Sequence, residues 1–410
     1  MSKPPIARKQ SILFYLLLIL VFVSPLLYTS ITTESFEFPK MILIYIFSSL
    51  IFVVAFWDRP INLPIKPILL YLSSIIISTV LSMHMYTSMW GYFSRFNGGL
   101  ISTICFVLIY LATTQLKQTH ITQLYNAVVF SALPVAVLAL LQHFQGMERA
   151  TSTLGQPNWT GTYLVIALGI ASYYTVTKEL KELYALSVVL FIVGIWVTYS
   201  LSSLIAAGAV LGTVLYINRS HINWQIISAI LLGCTFAIVR PGILASKIYD
   251  AQIIEAPQNM ETETPIDNEE VEAKAPKLTD SGNLRYLLWR DSLQIPTQNL
   301  KTFLVGTGPE TFPYIFQTYR SEAFNYTSEW NYIMNKPHNF YLETLIEEGI
   351  LGVVTYVSML GVLGFKAIKK RAIECLIIII TVTLTNLFSW PVASVSLLFW
   401  IGLGELNASA

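Results

Sequence analysis

A single histidine, His338, opens the run KPHNFYLETLIEEGILG, where a polar turn gives way to an apolar helical stretch. An imidazole near its ordinary pKa is neutral at physiological pH and is well suited to taking a proton from a sugar hydroxyl. A lone histidine in such a place is more often an ordinary neighbour of a helix N-cap, so its chemistry depends on its company. Arginines supply that company. In SGNLRYLLWRDSLQ, Arg285 precedes Trp289 by one helical turn and shares its face, with Arg290 beside the indole. WGYFSRFNGGL carries Arg95, and RATSTLGQPNWTGTYL carries Arg149 and Asn158. An arginine at a helix end can simply snorkel to lipid headgroups. Set beside Gly, Asn and Trp, a planar guanidinium is better explained by a bound anion, and a lipid pyrophosphate is such an anion.

Other patterns carry less. GTGPE at Gly306 has the look of a phosphate loop, but no strand precedes it and Pro309 follows, so it reads as a turn. His84, His120, His143 and His221 read as ordinary interfacial residues. Glu343, Glu347 and Glu348 either assist His338 or merely complement the dipole of a helix N-terminus, and the residues alone leave both open. No DxD-like pair occurs in an outer loop, so no divalent metal site is indicated. Cys105, Cys234 and Cys375 lie in apolar runs without metal or disulfide spacing and read as small apolar residues.

These residues need a frame. With 54% hydrophobic and 12% charged residues and a mean hydropathy of +0.59, the chain has about half the charge of a soluble domain, and it belongs in lipid. A net charge of +1 gives no reason to expect nucleic acid as a partner. Apolar runs of membrane-spanning length predict an all-α polytopic membrane protein of about twelve transmembrane helices. The spans are 11–31, 41–57, 66–83, 99–115, 124–144, 161–177, 183–200, 203–217, 223–239, 347–366, 372–389 and 391–406. The first is too long, and lacks the small-residue site, for a cleaved signal peptide. With the N-terminus in the cytoplasm, thirteen lysines and arginines fall in the inner segments, against only Lys40, Arg95 and Arg149 in the short outer loops. The positive-inside bias therefore places both termini in the cytoplasm. The organisation is nine helices over 1–239, one large, partly helical extracytoplasmic loop over 240–346, and three helices over 347–410. Within the loop, 255–280 has eight acids, two lysines and no aromatic residue, which predicts disorder. The remainder, 281–346, has aromatic anchors and is expected to be ordered and to hold the chemistry. Helices are expected at 284–295, at 311–319, and from His338 straight into the tenth span.

At these residues the sequence resembles the O-antigen ligase and polymerase superfamily of bacterial envelope glycosyltransferases, most closely the ligases. The resemblance rests on Arg95 to Leu100, on STLGQPNWTGTYL from Ser152 to Leu164, and on Arg285 with Trp289. The GxGPxxF turn from Gly306 to Phe312 and HNFYLETLIEEGILG from His338 to Gly352 complete it. It implies a GT-C-type enzyme of the bacterial plasma membrane that moves a glycan from undecaprenyl pyrophosphate to an acceptor such as lipid A-core, at the outer face. It implies no cofactor, nucleotide sugar or metal. His338 would be the general base, with Arg285 as its catalytic companion. Arg95, Arg149, Asn158, Trp289, Arg290 and Asn339 would hold substrate, the transmembrane bundle would hold the polyprenyl tail, and membrane lipids would be further partners. In one place the chain departs from the family: many members have a Ser-Arg pair where the seventh span turns into the eighth, and here the residues are Ser200, Leu201, Ser202 and Ser203. The role of that arginine is either lost here or taken by Arg149, Arg290 or Arg320. The acceptor divides three readings, a ligase, an O-antigen polymerase and a protein O-oligosaccharyltransferase. From another class, a lipid-linked glycan transporter also fits twelve spans, but the polar residues gather at the outer boundary and no repeated halves are visible. The orientation is open to direct test: a cysteine placed within 255–280 should react with an impermeant thiol reagent in intact cells, and protection from the reagent would reverse the topology.

Overall fold

The computed structural model describes residues 6–56, 65–220, 224–239 and 281–408. The acidic stretch 255–280 lies outside them. Every element among the described residues is helical. The long or apolar helices are α1 (Ile6–Val23), α2 (Glu37–Phe56), α3 (Lys66–Val80), α5 (Leu100–Thr113), α6 (Gln118–Phe144), α7 (Pro157–Thr177), α8 (Lys181–Trp196), α9 (Leu201–Ile217) and α10 (Trp224–Val239), with the short α4 (Met85–Trp90) after α3. The loop contributes α11 (Ser281–Ser292), α12 (Leu300–Val305), α13 (Phe312–Tyr319) and α14 (Phe340–Glu347), and the chain closes with α15 (Gly349–Lys370), α16 (Ile373–Thr385) and α17 (Ala393–Glu405). A helix stands at each of the twelve stretches expected to span. Among the described residues, four are long and apolar enough to cross a membrane by themselves: Arg8–Leu26, Glu37–Phe56, Gln118–Phe144 and Gly349–Lys370.

α7 is the centre of the bundle, buried on nearly every face and packed against α8, α9 and α16. It can be enclosed because its small residues let neighbours approach: a Cβ on Gly169 would come within 2.5 Å of side-chain atoms of Ile377 and Val210. The far end of the bundle is fastened by polar contacts. Glu405 accepts from Tyr125 and Gln118, and Tyr174 donates to Glu374. Lys40, counted as an outer-loop charge, is fully buried in the first turns of α2 and donates to the carbonyl of Thr153.

The large loop has its own apolar core of Leu284, Leu288, Phe312, Phe316, Phe324 and Ile346, with Phe312 stacked on Phe316 at 5.0 Å. The turn after α12 docks on the end of α14, where Thr307 and Gly308 donate backbone hydrogen bonds to the carbonyls of Ile346 and Glu347. Two glycines make this close approach possible. A Cβ on Gly306 (φ +74°) would lie 2.2 Å from the Glu347 carbonyl, and one on Gly349 (φ +69°) 2.4 Å from that of Leu304. The same contact corrects one expectation. The helix after His338 does not run unbroken into the membrane, because the left-handed backbone at Gly349 separates α14 from α15. Gly306→Ala should therefore lower the Tm of the purified protein, with a backbone cost alone of about 1–3 kcal/mol. Gly361→Ala, where an added Cβ meets nothing within 4 Å, should leave Tm unchanged or slightly raised in the same measurement.

Candidate active site

Loops from distant parts of the chain converge at the end of the bundle that carries the large loop. Their meeting point is the indole of Trp390, in the connection between α16 and α17. The guanidinium carbon of Arg95 lies 5.4 Å over this ring, the His338 imidazole stands edge-on at 4.9 Å, and Trp159 does so at 5.6 Å. Glu37, buried at the start of α2, braces two of these loops. Its carboxylate accepts from Ala393 N at 2.8 Å and from Asn97 Nδ2 at 3.5 Å.

His338 is half-buried and has φ +55°, a conformation that a side-chain-bearing residue keeps only when its surroundings impose it. Both neighbours impose it. Trp289 Nε1 donates to the carbonyl of Pro337 at 2.7 Å, and Asn339 Oδ1 caps α14 by accepting from the N–H groups of Tyr341 and Leu342 at 3.0 and 3.1 Å. Trp289 and Asn339 thus use their polar atoms to hold the histidine in place. His338 Nδ1 is buried without a partner. Burial, followed by the charges of Arg285 and Arg95, pushes the imidazole down to about 4, so the ring is neutral across the physiological range.

Arg285, Arg95 and His338 are therefore brought together. Arg149 and Asn158 form an adjoining pair, Arg149 donating to Asn158 Oδ1 at 3.4 Å and, through Nε, to Thr198 O at 3.3 Å. That second bond puts Arg149 at the turn between α8 and α9, where Ser200 caps α9. The other two stand-ins are engaged elsewhere. Arg290 pairs with Asp291 and donates to Ser321, while Arg320 donates to the carbonyls of Trp330 and Tyr332. Of the remaining histidines, His84 caps α4 and stacks on Tyr314 at 4.8 Å, and His120 stacks on Phe14 at 4.6 Å.

Beneath Trp390 and Arg95 lies a cavity with about 90 Å³ of room for water-sized molecules. Of the charged residues in its wall, Arg95, Glu343, Glu347 and Glu348 were singled out by the sequence, and Lys336 and Glu310 were not. Lys336, two residues before His338, is buried and ion-paired to both Glu310 and Glu343. Burial alone would discharge this amine, but the carboxylates of Glu310, Glu343 and Glu347 outweigh it and hold the ammonium above the usual lysine range. Carboxylate oxygens of Glu310, Glu343 and Glu347 lie within 4.8 Å of one another, a spacing suited to a cation, and Lys336 is the cation that stands among them. Glu347 also accepts from Glu310 N at 2.7 Å and Phe312 N at 3.0 Å, which fixes the strained Glu310 (φ +61°) and starts α13. Gly98 gives Glu310 its place: a Cβ there would fall 1.9 Å from the Glu310 carboxylate oxygen. The nearest available signal for this cluster was the charge of Glu343 and Glu347 on one face of an apolar helix.

Fold and site together define a helical membrane protein that presents arginines and a neutral histidine at one end of its bundle. Residues 186–357 match the family model described as O-Antigen ligase. The match supports a membrane glycosyltransferase of the ligase and polymerase kind. It contains Arg285, Lys336, His338 and Glu343, whereas Arg95, Asn158 and Trp390 reach the site from outside it. No curated protein matches the chain. The electrostatics carry a prediction. In the purified protein without donor, the His338 ring followed by NMR should titrate near 4 and should shift upward in Arg285→Gln, since removing a positive charge favours the imidazolium. A His338 that titrates near 6.5 in both proteins would mean that neither burial nor the arginines act on it.

Proposed function

We propose that this chain is a ligase-like glycosyltransferase that moves a glycan from undecaprenyl pyrophosphate to a lipid acceptor of the lipid A-core type, at the outer face of the bacterial plasma membrane. The observation that carries the reading is the convergence of Arg95 and Arg285 on one neutral histidine, His338, held in a left-handed backbone conformation. The donor's pyrophosphate lies against the two guanidinium groups, with Arg149 and Asn158 extending the anion site along the α8–α9 turn. Arginines held in place before the reaction stabilise the charge that grows on the pyrophosphate as its bond to the anomeric carbon breaks. The acceptor hydroxyl attacks that carbon and gives its proton to His338.

The same arrangement gives the base a dependence on donor. Two positive charges weaken it in the free protein, and a bound pyrophosphate offsets both. Burial still holds the ring down, so His338 becomes a stronger base than in the free protein and a weaker one than an exposed imidazole.

Transfer should be measured with purified protein in nanodiscs, offered an undecaprenyl-pyrophosphate glycan and, in separate reactions, lipid A-core, a non-reducing glycan end and a hydroxyl-bearing peptide. His338→Ala should lower the rate by about 10²–10⁴ while donor still binds. Arg285→Lys should lower it by about 10²–10³, because a point charge does not reproduce the planar fork on a pyrophosphate. Wild-type rates in His338→Ala would remove the histidine from catalysis. Transfer only to glycan or only to peptide would replace the ligase by a polymerase or a protein transferase.

A further inference from the structure

We propose that the cavity beneath Trp390 is a hydrated proton-receiving chamber, in which Glu343 and Glu348 take up the proton that His338 removes from the acceptor hydroxyl. The inference rests on the transferase reading above and extends it to the fate of the proton.

Three observations place the chamber. Its wall includes Trp390, which stands edge-on to His338, and Arg95, whose charge acts on that ring; the imidazole itself lines a neighbouring hollow, and Lys336 borders both spaces. Glu343 and Glu348 are 4% and 8% exposed, both line the cavity, and the Oε2 atom of each is buried without a protein partner. A buried carboxylate oxygen without a donor is costly, so these oxygens are expected to be satisfied by water or by a proton. The size of the space suits water: room of about 90 Å³ holds several waters, each needing about 10–15 Å³.

The charges around the two acids suit the role. Lys336, Glu310, Glu347, Glu348 and Arg95 face Glu343, and Glu343, Lys336 and the phenols of Tyr71 and Tyr356 face Glu348. Burial pushes the Glu343 carboxyl upward against the pull of Lys336, which makes it a better proton acceptor than an exposed carboxylate. In the balanced step, the acceptor oxygen bonds to the anomeric carbon, whose bond to the pyrophosphate oxygen breaks. The electron pair leaves with the lipid pyrophosphate. The hydroxyl proton passes to His338 and through cavity water to a Glu343 or Glu348 carboxylate, which becomes a neutral acid and later returns the proton to bulk water.

The test uses the full-length protein in nanodiscs and has two arms. Infrared spectroscopy across pH 5–9 should detect a protonated buried carboxyl in the wild type, with part of the signal missing in Glu343→Gln and in Glu348→Gln. Single-turnover transfer should rise with pH in the wild type as these acids ionise. In the variants it should be slowed about tenfold or more, and the rise should be flattened, with undecaprenyl pyrophosphate still bound. A purely structural role for the acids would slow transfer by one factor at every pH and keep the rise, and that result overturns the proposal. Wild-type rates and pH dependence in the double variant overturn it too, as does the absence of any titrating carboxyl. Glu348 has no ion pair to lose, which guards against a misfolded Glu343 variant. Wild-type protein that transfers to no acceptor overturns the transferase reading, and the proton path with it, even where the infrared titration is normal.

Discussion

The ammonium of Lys336 is the constraint on which the outer architecture depends. A charge taken out of water costs several kcal/mol unless it is closely paired. Here the pairing comes from two separate segments, Glu310 after the glycine turn and Glu343 on α14. Each segment is in turn committed elsewhere. Glu310 rests on the open face of Gly98, in the loop that carries Arg95, and Glu347 draws in the backbone of Glu310 and Phe312. One buried cation therefore sets the relative positions of the arginine loop, the turn and the helix that follows His338.

The backbone pays for this convergence locally. Phe96, Ser152, Tyr199, Glu310 and His338 all have positive φ, and all lie in the loops at the site end; the sixth such residue, Arg371, ends α15 at the opposite end. Strain of this kind persists where packing and hydrogen bonds over-determine a conformation. Around His338 the determinants are visible, since Pro337 is held by Trp289 and Asn339 by its own cap. The opposite end of the bundle is built differently, from satisfied hydrogen bonds such as those of Glu405 with Tyr125 and Gln118. Stability and chemistry are thus placed at different ends of the same helices.

Hydropathy located the helices well, because burial in lipid or protein demands the same apolar runs. It could not see that α14 and α15 are separate, since the break lies in the conformation of Gly349 and in the backbone packed against it. Nor could it tell that Lys40 is interior, because position near a helix end looks the same for a buried and a snorkelling lysine. Among the site residues, His338, Arg285 and Arg95 were legible from residue type and setting. Trp390, Glu37 and Lys336 were not. Each gains its meaning from partners far away in sequence, and an indole or a lysine at a helix boundary has an ordinary explanation until those partners are placed.

The site is assembled from two sources. The stretch that matches the O-antigen ligase family supplies His338, the ammonium and the carboxylates, and segments before and after it supply Arg95, Asn158 and Trp390. Sequence drift in those flanking segments can reshape the rim while His338, Lys336 and the carboxylates beneath it keep their places, so the two parts of the site are free to change at different rates.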